Sequence, residues 1–127
     1  MLRLVLAVAA GGAAGSVARY GVALLAERAG AGFPWGTLAV NVAGSLLLGA
    51  LVRHLAVPPG AAPAALPLAL TVGLCGGFTT FSTFSLDLLR LLQSGAAGRA
   101  ALYAAASVGL SLAAVWAGFT LAARPTP

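Results

Sequence analysis

The chain has 127 residues, of which 61% are hydrophobic and only 7% are charged, and its mean hydropathy is +1.02. Soluble domains carry about 25% charged residues, and disordered chains lack this much apolar surface, so both classes are excluded. The net charge of +5 comes from single arginines scattered along the sequence, which excludes the clustered basic face of a nucleic-acid-binding protein. The composition therefore predicts an all-α integral membrane protein with a single domain, residues 1–127.

Four apolar segments are long enough to cross a membrane as helices, which takes about 20 residues each. Charged residues and stretches rich in Pro and Gly set their limits, at about residues 4–26, 35–51, 66–92 and 100–122. Residues 58–67 form one such stretch, and Arg124 and Pro125 follow the fourth segment. The first segment also has features of a cleaved signal peptide. Arg19 and Tyr20 lie inside its apolar run and no hydrophilic domain follows, which favours a membrane span.

The arginines give no preferred orientation in the membrane, although cytoplasmic loops normally carry an excess of Arg and Lys. Four spans place three arginines on each side: Arg3, Arg53 and Arg124 on one, and Arg28, Arg90 and Arg99 on the other. This balance favours insertion in both orientations, which would allow an antiparallel pair of copies. A single orientation set by other features is the alternative. Four helices enclose little volume, so a transport function would need more than one copy.

Polar residues recur at helical spacing in the second and fourth segments. Residues four positions apart share one helix face. The two stripes are Thr37, Asn41, Ser45 and Gly49 in the second segment, and Tyr103, Ser107 and Ser111 in the fourth. Polar groups in hydrocarbon mark ion pathways or contacts between helices. Packing is the alternative at the Ser, Thr and Gly positions, whereas the Asn41 amide needs hydrogen-bond partners at membrane depth.

The third segment contains the sequence GLCGGFTTFSTFS at residues 73–85. Adjacent glycines followed by two threonines are poor helix formers in the middle of a span, which predicts a break in the third helix. Broken helices at membrane depth are tolerated where the freed backbone groups are buried in protein or line a cavity. Freed carbonyls can bind a small cation such as sodium. An unbroken glycine-rich helix is the alternative.

Phe81 and Phe84 lie three residues apart and share a helix face in this segment. Aromatic ring edges are electropositive, so these rings could contact a small anion without a formal charge. Lipid-facing or core positions are the alternative for both. Asp87 and Arg90 have the same spacing and are expected to pair. The sequence has no Cys/His metal site and no phosphate-binding loop, so a transport function would be passive or ion-driven, and no catalytic residue is assigned.

Motifs in all four segments carry a family resemblance. They are Gly12-x-x-Gly15-x-x-x-Arg19-Tyr20, then Gly36-Thr37-Leu38-x-Val40-Asn41-x-x-Gly44-Ser45, then GGFTTFSTFS at residues 76–85, and finally Tyr103, Ser107 and Ser111. Together they resemble the Fluc (CrcB) family of fluoride channels, and the block in the third segment is the most specific of them. The resemblance adds fluoride as the ion, which the physical chemistry of the residues alone does not distinguish from chloride.

The resemblance implies an antiparallel, dual-topology homodimer in a bacterial cytoplasmic membrane, with two fluoride pores, a third helix broken mid-membrane and a central sodium ion. It also implies passive export of fluoride from the cytoplasm, relieving fluoride toxicity, and no enzymatic activity. On the matching positions, Asn41 would donate a hydrogen bond to fluoride, and Phe81 and Phe84 would turn their ring edges toward it. The carbonyls of Gly76 and Thr79 from both copies would hold sodium. The other pore residues that the resemblance implies are Ser107, Ser111, Tyr103, Thr37, Ser82 and Thr83.

Two further interpretations of four short spans compete with this one. A small multidrug exporter also shows dual topology, but it needs a carboxylate deep in the membrane, whereas Glu27 and Asp87 lie near span ends. A membrane subunit without transport function, held together by small residues, would leave Asn41 and the two phenylalanines unexplained. Arg19 matches an arginine of the resembled family but has no assigned role, and Asp87 stands where some members have glutamate.

Overall fold

The computed structural model describes residues 1–28, 32–55 and 61–122. Four helical segments in these ranges are long and apolar enough to cross a membrane, which confirms the predicted all-α, four-span fold. The helices are α1 (Leu2–Arg28), α2 (Trp35–His54), α3 (residues 65–78), α4 (Phe81–Gln93) and α5 (Ala97–Leu121), with α3 and α4 together forming the third segment. Residues 58–60, Arg124 and Pro125, which the sequence places between and after the spans, lie outside the described residues.

The third segment is interrupted at Thr79 and Thr80, which both have extended backbone conformations. Helix α3 consists of α-helical Ala65–Leu68, π-helical Ala69–Cys75 and α-helical Gly76–Phe78, so both glycines of the predicted break are still helical. Thr80 is the N-cap of α4 because its hydroxyl oxygen accepts the Thr83 N–H at 3.1 Å. The helix therefore restarts where a capping threonine satisfies a free backbone donor.

Helices α1 and α3 pack backbone against backbone through glycines at four-residue spacing. A Cβ atom added to Gly15 would overlap the Leu74 carbonyl oxygen, and one added to Gly77 would lie 2.5 Å from the Gly12 carbonyl oxygen. A Cβ atom added to Gly11 would overlap the Ala69 carbonyl oxygen, and one added to Gly73 would lie 2.8 Å from the Val8 carbonyl oxygen. Small residues allow membrane helices to approach this closely, and dispersion contacts then hold them together. The glycine-rich first segment is therefore an interhelical contact surface.

Helices α2 and α5 pack in the same way. A Cβ atom on Gly49 would overlap the Val115 carbonyl oxygen, and one on Gly118 would overlap the Leu46 carbonyl oxygen. Beside this contact, a buried cluster joins α2, α4 and α5, and its members are Leu38, Phe84, Leu91, Ala100 and Tyr103. The core thus lies around the second half of the third segment, next to the interruption.

Candidate functional site

A groove between α2, α4 and α5, which we call the phenylalanine groove, contains four of the predicted pore residues. They are Phe81, Phe84, Ser107 and Ser111, and the cavity they help to line has a volume of about 370 Å³. The remaining lining residues are Ser45, Leu48, Val108, Leu112 and Val115, so every side chain of the groove is uncharged. The structure therefore brings the two phenylalanines together with Ser107 and Ser111 of the fourth-segment stripe, whereas Tyr103 is not part of this lining.

The two rings of this groove lie in different environments. Their centroids are 5.3 Å apart with planes tilted by 43°. Phe84 is 8% exposed and packs against the Tyr103 ring at 5.2 Å, whereas Phe81 is 77% exposed. Ser107 is 6% exposed, and its hydroxyl has no partner within hydrogen-bond geometry among the described residues. The groove therefore combines one exposed ring, one core ring and a buried serine hydroxyl.

A second cavity, which we call the break cavity, adjoins the groove at the interruption of the third segment. Its volume is about 290 Å³, and Phe81 and Ser111 line both cavities. Asn41 is in its wall, where the Nδ2 atom donates to the Thr80 carbonyl at 3.1 Å and the Oδ1 atom accepts the Thr80 N–H at 2.7 Å. An amide Nδ2 carries two N–H bonds, so one donor of Asn41 is not used by Thr80.

Ser82 and Thr83 are held by the cap of α4. The Thr80 hydroxyl donates to Thr83 Oγ1 at 3.0 Å and lies 3.2 Å from Ser82 Oγ. Ser82 is exposed and lies outside the linings of the phenylalanine groove and the break cavity, whereas Thr83 lines a third cavity. The two hydroxyls thus belong to the start of α4 and not to the phenylalanine groove.

The third cavity, of about 490 Å³, is lined by Thr37, Thr83, Asp87 and Arg90 among others, and we call it the acidic cavity. The Thr37 hydroxyl donates to Asp87 Oδ2 at 2.7 Å, and the Tyr103 hydroxyl lies 3.4 Å from the same oxygen. Arg90 is 3.9 Å from the other carboxylate oxygen, which confirms the predicted pair. Thr37 and Tyr103 therefore face a carboxylate, a placement that helical spacing alone did not indicate.

Arg19 and the predicted cation ligands lie on the α3 side of the interruption. The Arg19 Nε donates to the Gly77 carbonyl at 3.0 Å, an interaction that the sequence analysis missed. Gly76 and Thr79 line the break cavity, and Gly76 is exposed with no atom near the position of an added Cβ. An arginine inside an apolar span was a signal for such a contact, because a buried guanidinium needs acceptors.

Comparison of the sequence with known proteins identifies the family of this chain. The family model described as CrcB-like protein, Camphor Resistance (CrcB), matches residues 6–119 of the chain. The chain belongs to the CrcB family. The match includes all the candidate residues of the groove and both cavities, and membership decides against the multidrug exporter that four short spans also suggested.

Curated CrcB relatives match over nearly their whole length. A protein of Rhizobium meliloti (strain 1021) is 51% identical over 92% of this chain and 94% of its own. A protein of Agrobacterium fabrum (strain C58) is 52% identical over 90% of this chain and 91% of its own, and one of Paracoccus denitrificans (strain Pd 1222) is 53% identical over 91% of both chains. All three are named fluoride-specific ion channel FluC, so these relatives are channels and not enzymes.

Proposed function

We propose that this CrcB-family protein is a passive fluoride channel that works as an antiparallel pair of copies in a bacterial cytoplasmic membrane. The observation that carries the proposal is the phenylalanine groove, in which two rings and three serine side chains meet among side chains that are all uncharged. The choice of fluoride is supported by the names of the relatives that share about half of the sequence. Passive exit along this path would relieve fluoride toxicity.

The chemistry of the groove suits a small, strongly hydrated anion. A path through the membrane must replace the water shell of fluoride with fixed hydrogen-bond donors. Ser107 and Ser111 offer hydroxyls in the groove, and Asn41, in the adjoining break cavity, offers the N–H that Thr80 does not use. Ring edges of Phe81 and Phe84 would add weak positive potential. Conduction also needs sites that release the ion, which favours uncharged donors over a lysine or arginine in the path.

The acidic cavity fits the mouth of such a path. Thr83 lies both in this cavity and against the Thr80 hydroxyl, so it connects the cavity to the start of α4. Thr37 and Tyr103 hydrogen-bond to Asp87, and Arg90 offsets part of the carboxylate charge. In the proposal these side chains, with Ser82 at the helix start, act at the entrance, whereas the groove provides the selective contacts.

The interruption in the third segment fits the sodium ion that the family resemblance implies. No group of three or more His, Cys, Asp or Glu side chains suitable for a metal occurs in the described part of the chain. In the proposal, backbone carbonyls would supply the oxygen ligands. Gly76 and Thr79 lie where the helix ends, and a hard cation takes oxygen ligands. Their carbonyls from two copies would hold the ion. When bound, sodium would supply positive charge between copies whose carbonyls would otherwise repel one another.

The proposed channel predicts a simple flux experiment. Purified protein in liposomes loaded with potassium fluoride should release fluoride when a potassium ionophore balances the charge, as measured with a fluoride electrode. Liposomes loaded with potassium chloride should release chloride far more slowly, because the larger ion matches the fixed donors poorly. Protein-free liposomes are the control. Equal release of both ions, or fluoride release no faster than in the control, would contradict the proposal.

The antiparallel pairing predicts that the N-terminus lies on both sides of the membrane. A cysteine placed after Met1 in a Cys75→Ser background should react with an impermeant thiol reagent from the outside in about half of the copies, because the flanking arginines are balanced. Membrane permeabilisation should label the rest. As a control, several lysines added beside the new cysteine should move labelling to the inside. If the cysteine variant without added lysines is labelled entirely from one side of the membrane, the antiparallel pair is excluded.

A further inference from the structure

The carbonyls around the interruption differ in what they bind. The Cys75 carbonyl accepts both the N–H and the hydroxyl of Thr79, at 3.0 and 2.9 Å. The Gly77 carbonyl would receive the Phe81 N–H in a continuous helix, and here it accepts the Arg19 Nε at 3.0 Å. The Thr80 carbonyl accepts the Asn41 Nδ2 at 3.1 Å. Side chains thus donate hydrogen bonds to particular backbone carbonyls on each side of the interruption.

The Gly76 carbonyl does not receive its helical donor, the Thr80 N–H, because Asn41 binds that N–H. In a continuous helix, the N–H of Thr80 would donate to the carbonyl of Gly76, four residues earlier. In this structure that N–H donates to Asn41 Oδ1 at 2.7 Å. The Asn41 amide therefore replaces the helical acceptor of Thr80, and it does so from a different helix, 39 residues away in the sequence.

We propose that Asn41 is a positioning residue for the cation site: its Oδ1 holds the Thr80 N–H away from the Gly76 carbonyl and so leaves that oxygen free for sodium. The inference rests on the sodium site of the proposed function. It assigns the two polar atoms of one amide to different tasks. Oδ1 keeps the Gly76 carbonyl oxygen free to bind the cation. The unused N–H of Nδ2 remains available to the anion path beside Phe81 and Ser111.

The packing of α2 explains how Asn41 reaches the interruption. Gly44, one helical turn beyond Asn41, is buried against Thr79, and an added Cβ would overlap the Thr79 methyl group and lie 3.2 Å from the Phe78 ring. A residue without a side chain at this position leaves room for the Thr79 side chain against α2. Gly44 and Asn41 together therefore fix the position of Thr79 and Thr80, and with it the orientation of the carbonyls that the cation would use.

The test measures how sodium stabilises the purified protein. Thermal unfolding in detergent is followed as sodium chloride replaces a large organic cation chloride at constant ionic strength. Asn41→Leu, which removes both polar atoms at similar size, should need at least about tenfold more sodium for half of the stabilisation, because the Gly76 carbonyl then competes for the Thr80 N–H. Asn41→Asp keeps an acceptor for that N–H and should need no more sodium than the wild type.

The control is Thr120→Ala, which removes a hydroxyl that lies outside all three cavities and bonds only to carbonyls of its own helix, and which should respond to sodium like the wild type. A wild-type sodium response in Asn41→Leu overturns the inference, and so does a weakened response in folded Asn41→Asp, which decides the matter if Asn41→Leu does not fold. A wild-type protein that sodium does not stabilise overturns both the cation site and the role of Asn41. The fluoride flux of the same preparation would still test the channel separately.

Discussion

Replacing Phe81 by isoleucine should reduce fluoride efflux from liposomes by about fivefold, because the substitution removes an aromatic edge worth about 1 kcal/mol to a bound group from an uncharged path. The protein should still fold, since the Phe81 side chain is 77% exposed and little packing is lost. Fluoride-electrode traces and the elution volume of the purified protein measure the two effects separately.

Phe119→Ile is the matched control for this prediction. Phe119 is 41% exposed, lies outside all three cavities and contacts the Arg53 guanidinium at 5.2 Å from the ring centroid. Its variant should conduct like the wild type. Phe84 is a poorer choice for substitution, because it belongs to the buried cluster with Tyr103 and its loss would also destabilise the fold. Wild-type flux in Phe81→Ile would remove this ring from the mechanism.

The sequence was sufficient to predict the features that depend on local periodicity. Four apolar segments gave four helices, and three-residue spacing brought Phe81 and Phe84 to one groove. Four-residue spacing likewise put Ser107 and Ser111 along the same cavity. These positions follow from the geometry of a single helix, which fixes the face on which each side chain lies. Their role in conducting fluoride stays a prediction.

The contacts between helices could not be read from the same patterns. Asn41 binds the backbone of Thr80 at a separation of 39 residues, and Arg19 binds the Gly77 carbonyl at a separation of 58. Thr37 shares a helix face with Asn41 but donates to Asp87 instead of facing the groove. Periodicity identifies which residues share a helix face but not which element packs against that face. Only the three-dimensional structure shows that Thr37 lines the acidic cavity whereas Asn41 lines the break cavity.

The glycine contact between α1 and α3 leads to the second large effect. Gly15→Ala should destabilise the protein by about 1–3 kcal/mol, because the new methyl group would overlap the Leu74 carbonyl oxygen and lie 2.8 Å from the Phe78 amide nitrogen. Backbone atoms cannot move aside by changing rotamer, so the helices must separate. Arg19 lies one turn beyond Gly15, and that separation would also weaken its hydrogen bond to the Gly77 carbonyl beside the proposed cation site.

Gly21→Ala makes the same change in the same helix at a position where an added Cβ meets no atom within 4 Å. It should leave stability unchanged or raise it by up to about 1 kcal/mol, because alanine favours the helix over glycine. Thermal unfolding of the two variants in detergent, followed by flux measurements, separates close packing from helix propensity. Equal stability would show that α1 tolerates a methyl group at this interface, and the close approach of α1 to α3 would then not be what holds Arg19 against the interruption.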